Sequence, residues 1–297
     1  MHTPVLATEV IDHLNLGPND NAIDCTVGDG GHSKFLLEES VPDGRLLAID
    51  ADRNSLSRAR KNLTEFDQQR ITFKRNNFRN LEKIVEETGL KDIQAILFDL
   101  GWSTSQLEDK KGFSFQNKEK LDMRYGDKGK TASELVNNLP KDELDFIFRR
   151  YGEEKFSNKI AREIVDKRED SPIETTNQLV DIILKVYRNK LNSDKEVPWT
   201  GGTHPATQVF QALRIAVNKE LKSLKQALPQ AVEVLDNLGR IAVISFHSLE
   251  DRIVKHFFKD NEDRLEIITK SPITPAESEL EQNPKARSAK LRVAEKI

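Results

Sequence analysis

A chain of 297 residues, 37% hydrophobic and 32% charged, is long enough for one large domain or two ordinary ones and has the composition of a well-solvated globular protein. Its formal net charge of −3 excludes a globally basic nucleic-acid coat, so any such binding must come from local patches. The one cysteine, Cys25, excludes an internal disulfide framework and fits a reducing cytoplasm; Met1 to Leu14 reads as neither signal nor transit peptide, and no run approaches a membrane span.

Val5, Leu6, Val10, Ile11 and Leu14 fall at near-helical spacing and predict a short amphipathic helix within His2 to Leu16. Asn21 to Val27 then reads as a strand. It runs into a turn, Gly28-Asp29-Gly30-Gly31-His32-Ser33, and on into an apolar, helix-like run from Lys34 to Leu37. Strand, glycine turn and helix bring backbone N–H groups close to a nucleotide-like ligand, because a side chain at the turn would block the approach. As a dinucleotide fingerprint the turn is imperfect, and a pyrophosphate would sit beside Asp24 and Asp29. S-adenosylmethionine has no phosphate and carries a sulfonium and an ammonium, which suit carboxylates. A nicotinamide dinucleotide and an ordinary ligand-free turn stay open beside it. Arg45 to Asp50 reads as a second strand ending in an acid, where ribose hydroxyls are expected.

Asp52 to Leu63 predicts a helix, Ile71 to Asn77 a third strand followed at once by Phe78, and Leu81 to Thr88 a helix capped by Gly89. Ile93 to Asp99 is nearly all apolar, as in a strand buried on both faces of a parallel sheet, and ends at Asp99-Leu100-Gly101-Trp102. Four strands alternating with helices are the pattern of an open α/β sheet.

From Ser103 to about Gly202 no strand is convincing. Thr104 to Lys130 reads as a polar, extended connection. Thr131 to Leu139, Lys141 to Tyr151, Glu154 to Arg168 and Thr176 to Leu191 read as helices, and Lys190 to Gly202 as a polar loop. Residues 104–203 are therefore an inserted helical domain, flanked by the first part (1–103) and second part (204–297) of the α/β domain. In the latter, an apolar stripe from Val209 to Leu228 predicts one long helix that Pro229 kinks or ends. Ile241 to Phe246 is a fifth buried strand, leading to His247-Ser248-Leu249-Glu250-Asp251-Arg252, and Leu265 to Ile268 and Lys290 to Glu295 are the last two. Seven strands, the last two without a long helix between them, suit the Rossmann-like sheet of S-adenosylmethionine-dependent methyltransferases, here carrying an all-helical insert.

In such a sheet the ligand lies outside the carboxyl ends of the strands. That rule selects the glycine turn, Asp50, Asn76 to Phe78, Asp99 to Trp102 and His247 to Arg252. An amine methyl acceptor needs an acceptor group to aim its lone pair, and Asp99 is placed to supply it; capping is the plainer role. Trp102 fits a base stack or core packing equally. His247, Glu250 and Asp251 match no standard metal spacing, so no metal is expected, and ion pairs of Glu250 or Asp251 with Arg252 or Arg214 are the plainer reading. Ser245 and Ser248 lack a Gly-x-Ser-x-Gly elbow. Two basic patches, Arg149, Arg150, Lys155, Lys159, Arg162, Lys167 and Arg168, and Lys285, Arg287, Lys290 and Arg292, are either solvated faces or RNA phosphate contacts.

Almost end to end, the chain resembles the ribosomal RNA small subunit methyltransferase H (MraW) family. The likeness rests on His2-Thr3-Pro4-Val5-Leu6, Gly30-Gly31-His32-Ser33, Asp99-Leu100-Gly101, Gly112-Phe113-Ser114-Phe115, Leu121-Asp122-Met123-Arg124, Tyr151-Gly152-Glu153-Glu154, His204-Pro205-Ala206-Thr207, Phe210-Gln211-Ala212-Leu213-Arg214, Ser245 to Arg252 and Arg287 to Arg292. The resemblance implies S-adenosylmethionine as donor and N4 of a 16S ribosomal RNA cytidine near the decoding centre as acceptor. It implies cofactor contacts at Gly30, Gly31, His32, Asp50, Phe78, Asp99 and Gln106, with Asp99, His247 and Asp251 on the catalytic side. The expected setting is cytoplasmic, with the small ribosomal subunit as partner, a homodimer compatible and no membrane. Trp102-Ser103-Thr104 stands where the family usually has Val-Ser-Ser, Glu108 where it has Asp, and Tyr125-Gly126 where Met-Asp is common. A nicotinamide-dependent oxidoreductase and an RNA-binding assembly factor without turnover are the competing readings.

Overall fold

The computed structural model describes residues 4–102, 105–106, 109–191 and 204–297. The predicted loop at Lys190 to Gly202 lies mostly outside these residues, as do Ser103, Thr104 and Glu108. The chain divides into two compact units, Met1–Ser103 with Leu221–Ile297, and Thr104–Glu220.

The first unit holds a seven-stranded sheet: β1 (Asn21–Asp24), β2 (Leu46–Asp50), β3 (Ile71–Arg75), β4 (Ile93–Asp99), β5 (Arg240–Ser245), β6 (Leu265–Ile267) and β7 (Lys290–Lys296). The spatial order is β3-β2-β1-β4-β5-β7-β6. The pairs from β3 through to β5 are parallel, and β7 runs antiparallel to both β5 and β6. This is the Rossmann-like methyltransferase arrangement expected from the sequence. Side chains alternate across it: Ile23, Leu47, Ile49, Ile96, Phe98, Ile241 and Val243 enter one core, and Ala22, Leu46, Ala48, Ala95, Leu97, Ala242 and Ile244 the other. Both faces are therefore dry, which is why the strands read as apolar runs rather than as alternating ones. Helices α1 (Ala7–Leu14), α2 (Gly31–Glu39), α3 (Arg53–Asn62) and α4 (Leu81–Thr88) come from the first segment.

The chain leaves β1 toward β2 and β3, then returns to place β4 on the other side of β1. The reversal between β1 and β4 opens a crevice at their carboxyl ends, the binding position of open α/β sheets.

The second unit is built on α5 (Ala132–Asn138), α6 (Lys141–Gly152), α7 (Ser157–Asp170), α8 (Thr176–Leu191) and α9 (Ala206–Asn218). Leu144, Phe148, Ile160, Ile164, Leu179, Ile183, Phe210 and Leu213 fill its core. The polar connection before α5 is less extended than its composition suggests, because Phe113, Leu121 and Met123 are buried in the same core. Gly152 permits a close approach of α6 and α9: a Cβ there would lie 2.4 Å from the Gln208 carbonyl oxygen.

Two expectations are corrected. The helical unit runs to Glu220 rather than ending near 203, because α9 packs its Val209, Phe210 and Leu213 into the helical core. The single long helix is two. α9 stops at Lys219, in left-handed conformation with φ 53°, where the Asn218 amide donates to the Met123 carbonyl and accepts from the Tyr125 N–H. α10 (Glu220–Val234) then continues through Pro229. Interior proline costs about 3 kcal/mol; burial of Leu224, Ala227, Leu228, Ala231 and Val232 around it offsets that cost. After β5 come α11 (Ser248–Asp260) and the short α12 (Glu277–Gln282). Among the described residues no helix is long and apolar enough to cross a membrane.

Candidate active site at the strand ends

Asp24, Asp50 and Asp99 terminate β1, β2 and β4. The Asp24 carboxylate accepts from Ser33 Oγ at 2.7 Å and from the Thr26 N–H at 3.1 Å. Asp50 accepts from the Gly28 N–H at 3.0 Å and the Asp52 N–H at 2.8 Å. Thr26 Oγ1 accepts the Asp99 N–H at 2.7 Å, tying the ends of β1 and β4 together. Among the described residues none of the three carboxylates meets a lysine or arginine. Burial therefore pushes each carboxyl up, Asp24 to about 6, Asp50 to about 7 and Asp99 to about 8, with Asp24 and Glu250 adding like-charge repulsion at Asp99.

His32, in the first turn of α2, is also buried, and burial lowers it to about 4. Its Nε2 lies 3.6 Å from Asp99 Oδ2, too far for a hydrogen bond. Burial drives both partners toward their neutral forms, so this is not an ion pair. Among the described residues neither ring nitrogen of His32 has a hydrogen-bond partner, and nor has Asp99 Oδ1. Buried polar atoms left in this state are rare in finished cores and mark a place where a ligand completes the bonding.

The turn from β1 into α2 is tightly packed. Gly28 and Gly30 adopt positive φ, 51° and 87°. A Cβ on Gly31 would sit 2.8 Å from the Pro4 ring. Phe78 packs edge-on against Phe98 with ring centroids 5.6 Å apart. The Gly28 N–H is spent on Asp50, so it offers nothing to a phosphate, and the surroundings are acidic. The groups fit a ligand with cationic and hydroxyl groups, and they oppose a pyrophosphate.

Gly30, Gly31, His32, Asp50, Phe78 and Asp99 thus lie at or directly after neighbouring strand ends. Gln106 falls in the second unit, where it is buried. His247 caps α11, its Nδ1 accepting from the Glu250 N–H at 3.4 Å, and Glu250 Oε2 accepts from the Phe246 N–H at 3.0 Å. His247 Nε2 lies 3.2 Å from Glu250 Oε1 but makes no well-formed hydrogen bond.

Asp251 corrects the sequence reading. Its carboxylate is engaged by Arg292 at 2.6 Å and approached by Lys290 at 3.6 Å, both on β7. Its ion-pair partner is thus neither Arg252 nor Arg214. Arg292 is buried by the same pairing and cannot serve a phosphate, and Arg168 donates to the carbonyls of Val136 and Leu139. Asp29, expected to add charge to the turn, is neutralised by Arg58 at 2.7 Å. Sequence reasoning gave no role to Thr26 and met Ser33 only as the end of the glycine turn. Their position, two and nine residues beyond the Asp24 that ends β1, was the available signal.

The description of the matching family model is the MraW methylase family, and the match covers residues 1–297. The chain belongs to that family. It is 44% identical to the ribosomal RNA small subunit methyltransferase H of Carboxydothermus hydrogenoformans, over all of this chain and 98% of that protein. It is also 44% identical to the protein of the same name from a Sulfurihydrogenibium species, over all of this chain and 99% of that protein. For a methylase, S-adenosylmethionine is the donor whose positive charges and ribose hydroxyls match the strand-end acids.

Proposed function

We propose that the chain transfers a methyl group from S-adenosylmethionine to N4 of a cytidine in 16S ribosomal RNA, near the decoding centre, in the cytoplasm. The observation that carries the donor half is the set of three strand-end carboxylates, Asp24 buried and Asp50 and Asp99 half-buried, which among the described residues meet no lysine or arginine and lie next to a buried histidine whose ring nitrogens have no hydrogen-bond partner there. The acceptor half rests on family membership and on the full-length relatives named as small-subunit RNA methyltransferases.

In this reading Asp50 holds the ribose hydroxyls, and Asp24 and Asp99 face the positive end of the donor. Phe78 flanks the adenine side, and the Gly30–Gly31 turn lets the ligand approach the backbone. Gln106 contributes a further cofactor contact. S-adenosylmethionine supplies an electrophilic methyl group on a sulfonium sulfur. Asp99 accepts a hydrogen of the cytosine amine and so aims its lone pair, which is the main requirement of the transfer. His247 shapes the acceptor side. The amine loses one proton as it gains the methyl group, and Asp99 or water takes it. The target base is unstacked into the site, since its amine is otherwise engaged. The helical unit grips the RNA through exposed basic residues such as Lys159 and Arg162.

Incubating the purified chain with small-subunit RNA or particles and methyl-labelled donor, then digesting to nucleosides, tests the reading. N4-methylcytidine is expected. Label in another nucleoside would reject the acceptor; no label with tight nicotinamide binding would reject the donor.

A further inference from the structure

In the helical unit, α6 carries Phe146 with half of its surface open to solvent, one of four large hydrophobic side chains exposed among the described residues. Single exposed apolar residues are ordinary, but the surroundings of this one are not. Arg149 and Arg150 follow at three and four residues, so both share its helical face. Both are exposed, and neither forms an ion pair among the described residues. Tyr151 meets the Phe146 ring edge-on, centroids 6.1 Å apart and planes at 78°. That contact holds the ring while half of its surface stays open to solvent. Of the acids on this helix, Asp145, next to Phe146 in the chain, accepts from Ser157 Oγ at 2.6 Å, while Asp142 and Glu143 lie one turn the other way and Asp142 is matched by Lys141 at 3.3 Å.

A held aromatic face beside two unpaired guanidinium groups is what an unpaired nucleotide requires: a surface for the base and cations for the flanking phosphates. We propose that Phe146 is a stacking platform for an unpaired base of the RNA substrate, with Arg149 and Arg150 on the adjacent phosphates. This rests on the RNA reading above and adds a second point of grip, outside the methyl-transfer site. A protein partner would find little else to bury here, since the rest of the exposed face is charged.

The test measures binding of the full chain to a protein-free 16S ribosomal RNA transcript and to intact small subunits, with thermal melts as a folding control. Phe146→Ala is expected to weaken transcript binding about ten-fold with an unchanged salt slope. Phe146→Trp is expected to restore binding, with indole fluorescence quenched by RNA. Arg149→Ala is expected to weaken binding and to lower the salt slope by about one. Normal transcript binding by Phe146→Ala overturns the platform while leaving the methyltransferase reading intact, provided that N4-methylcytidine still forms. Loss of small-subunit binding alone, with transcript binding kept, overturns it in favour of a protein contact. A wild-type chain that binds neither the transcript nor small subunits overturns both.

Discussion

In the helical unit, two half-buried acids meet arginines and the buried Glu154 takes a hydroxyl. Arg214 meets Glu220 through two bonds of 2.9 and 3.0 Å, Arg124 meets Asp122 through 2.7 and 2.8 Å, and the Tyr187 hydroxyl donates to the buried Glu154. At the strand ends of the other unit, Asp24, Asp50 and Asp99 share one crevice, and among the described residues no lysine or arginine meets them. Buried charge costs free energy unless it is paired. A fold that pairs it in one place and leaves it unpaired in another is relying on a ligand in the second. The helical unit is built for stability; the crevice trades stability for binding.

Substitutions sharpen that contrast. Phe148, fully buried in the helical core, is expected to cost about 3–5 kcal/mol when replaced by alanine, read in denaturant melts. Asp99→Asn is expected to behave in the opposite way. The folded Asp99 carboxyl sits at about 8 against an ordinary 3.8. Its contribution to stability is complete below the ordinary value and is lost as pH rises through about 8. The variant should therefore match the wild type at pH 4 and equal or exceed it at pH 8. Its methyl transfer should fall by about 100-fold or more through lost alignment of the amine. Full activity in Asp99→Asn would remove this residue from the mechanism.

The donor's own binding gives a smaller effect. A cation favours ionised carboxylates, and the three here titrate at about 6, 7 and 8. Affinity for S-adenosylmethionine should rise by about ten-fold between pH 6 and pH 8, with proton release on binding. Calorimetry in two buffers of different ionisation heat measures that release. Proton uptake, or affinity falling as pH rises, would contradict the assignment of the crevice to a cationic ligand.

The sheet was legible because its strands obey one strong rule. Ile93 to Asp99 and Ile241 to Ser245 are buried on both faces, so the apolar runs stand out, and their acidic or polar ends mark the ligand side. Asp50 and Asp99 followed from that rule alone. The division of the long helix did not, because the break at Lys219 is set by the Asn218 amide meeting Met123 and Tyr125, residues more than ninety positions away. Nor did the partner of Asp251: Arg292 comes to it only through the antiparallel pairing of β5 with β7. Local patterns do not encode such contacts between distant segments.

Helix starts carry the contrast down to its finest scale. α5 begins with a complete capping box: Thr131 accepts the Glu134 N–H at 3.1 Å, and Glu134 accepts the Thr131 N–H at 2.7 Å. α2, at the site, begins at Gly30 with no side-chain cap. A side chain there would meet Leu63 at 3.2 Å and would have to adopt φ 87°. Thr131→Ala should cost about 1 kcal/mol of stability and leave donor affinity unchanged. Gly30→Ala should weaken the donor as well as the fold, because the proposed donor site includes the uncapped start of α2. Equal donor affinities in the two variants would mean that the glycine serves only the turn. The bare helix start would then be a matter of packing rather than of ligand access.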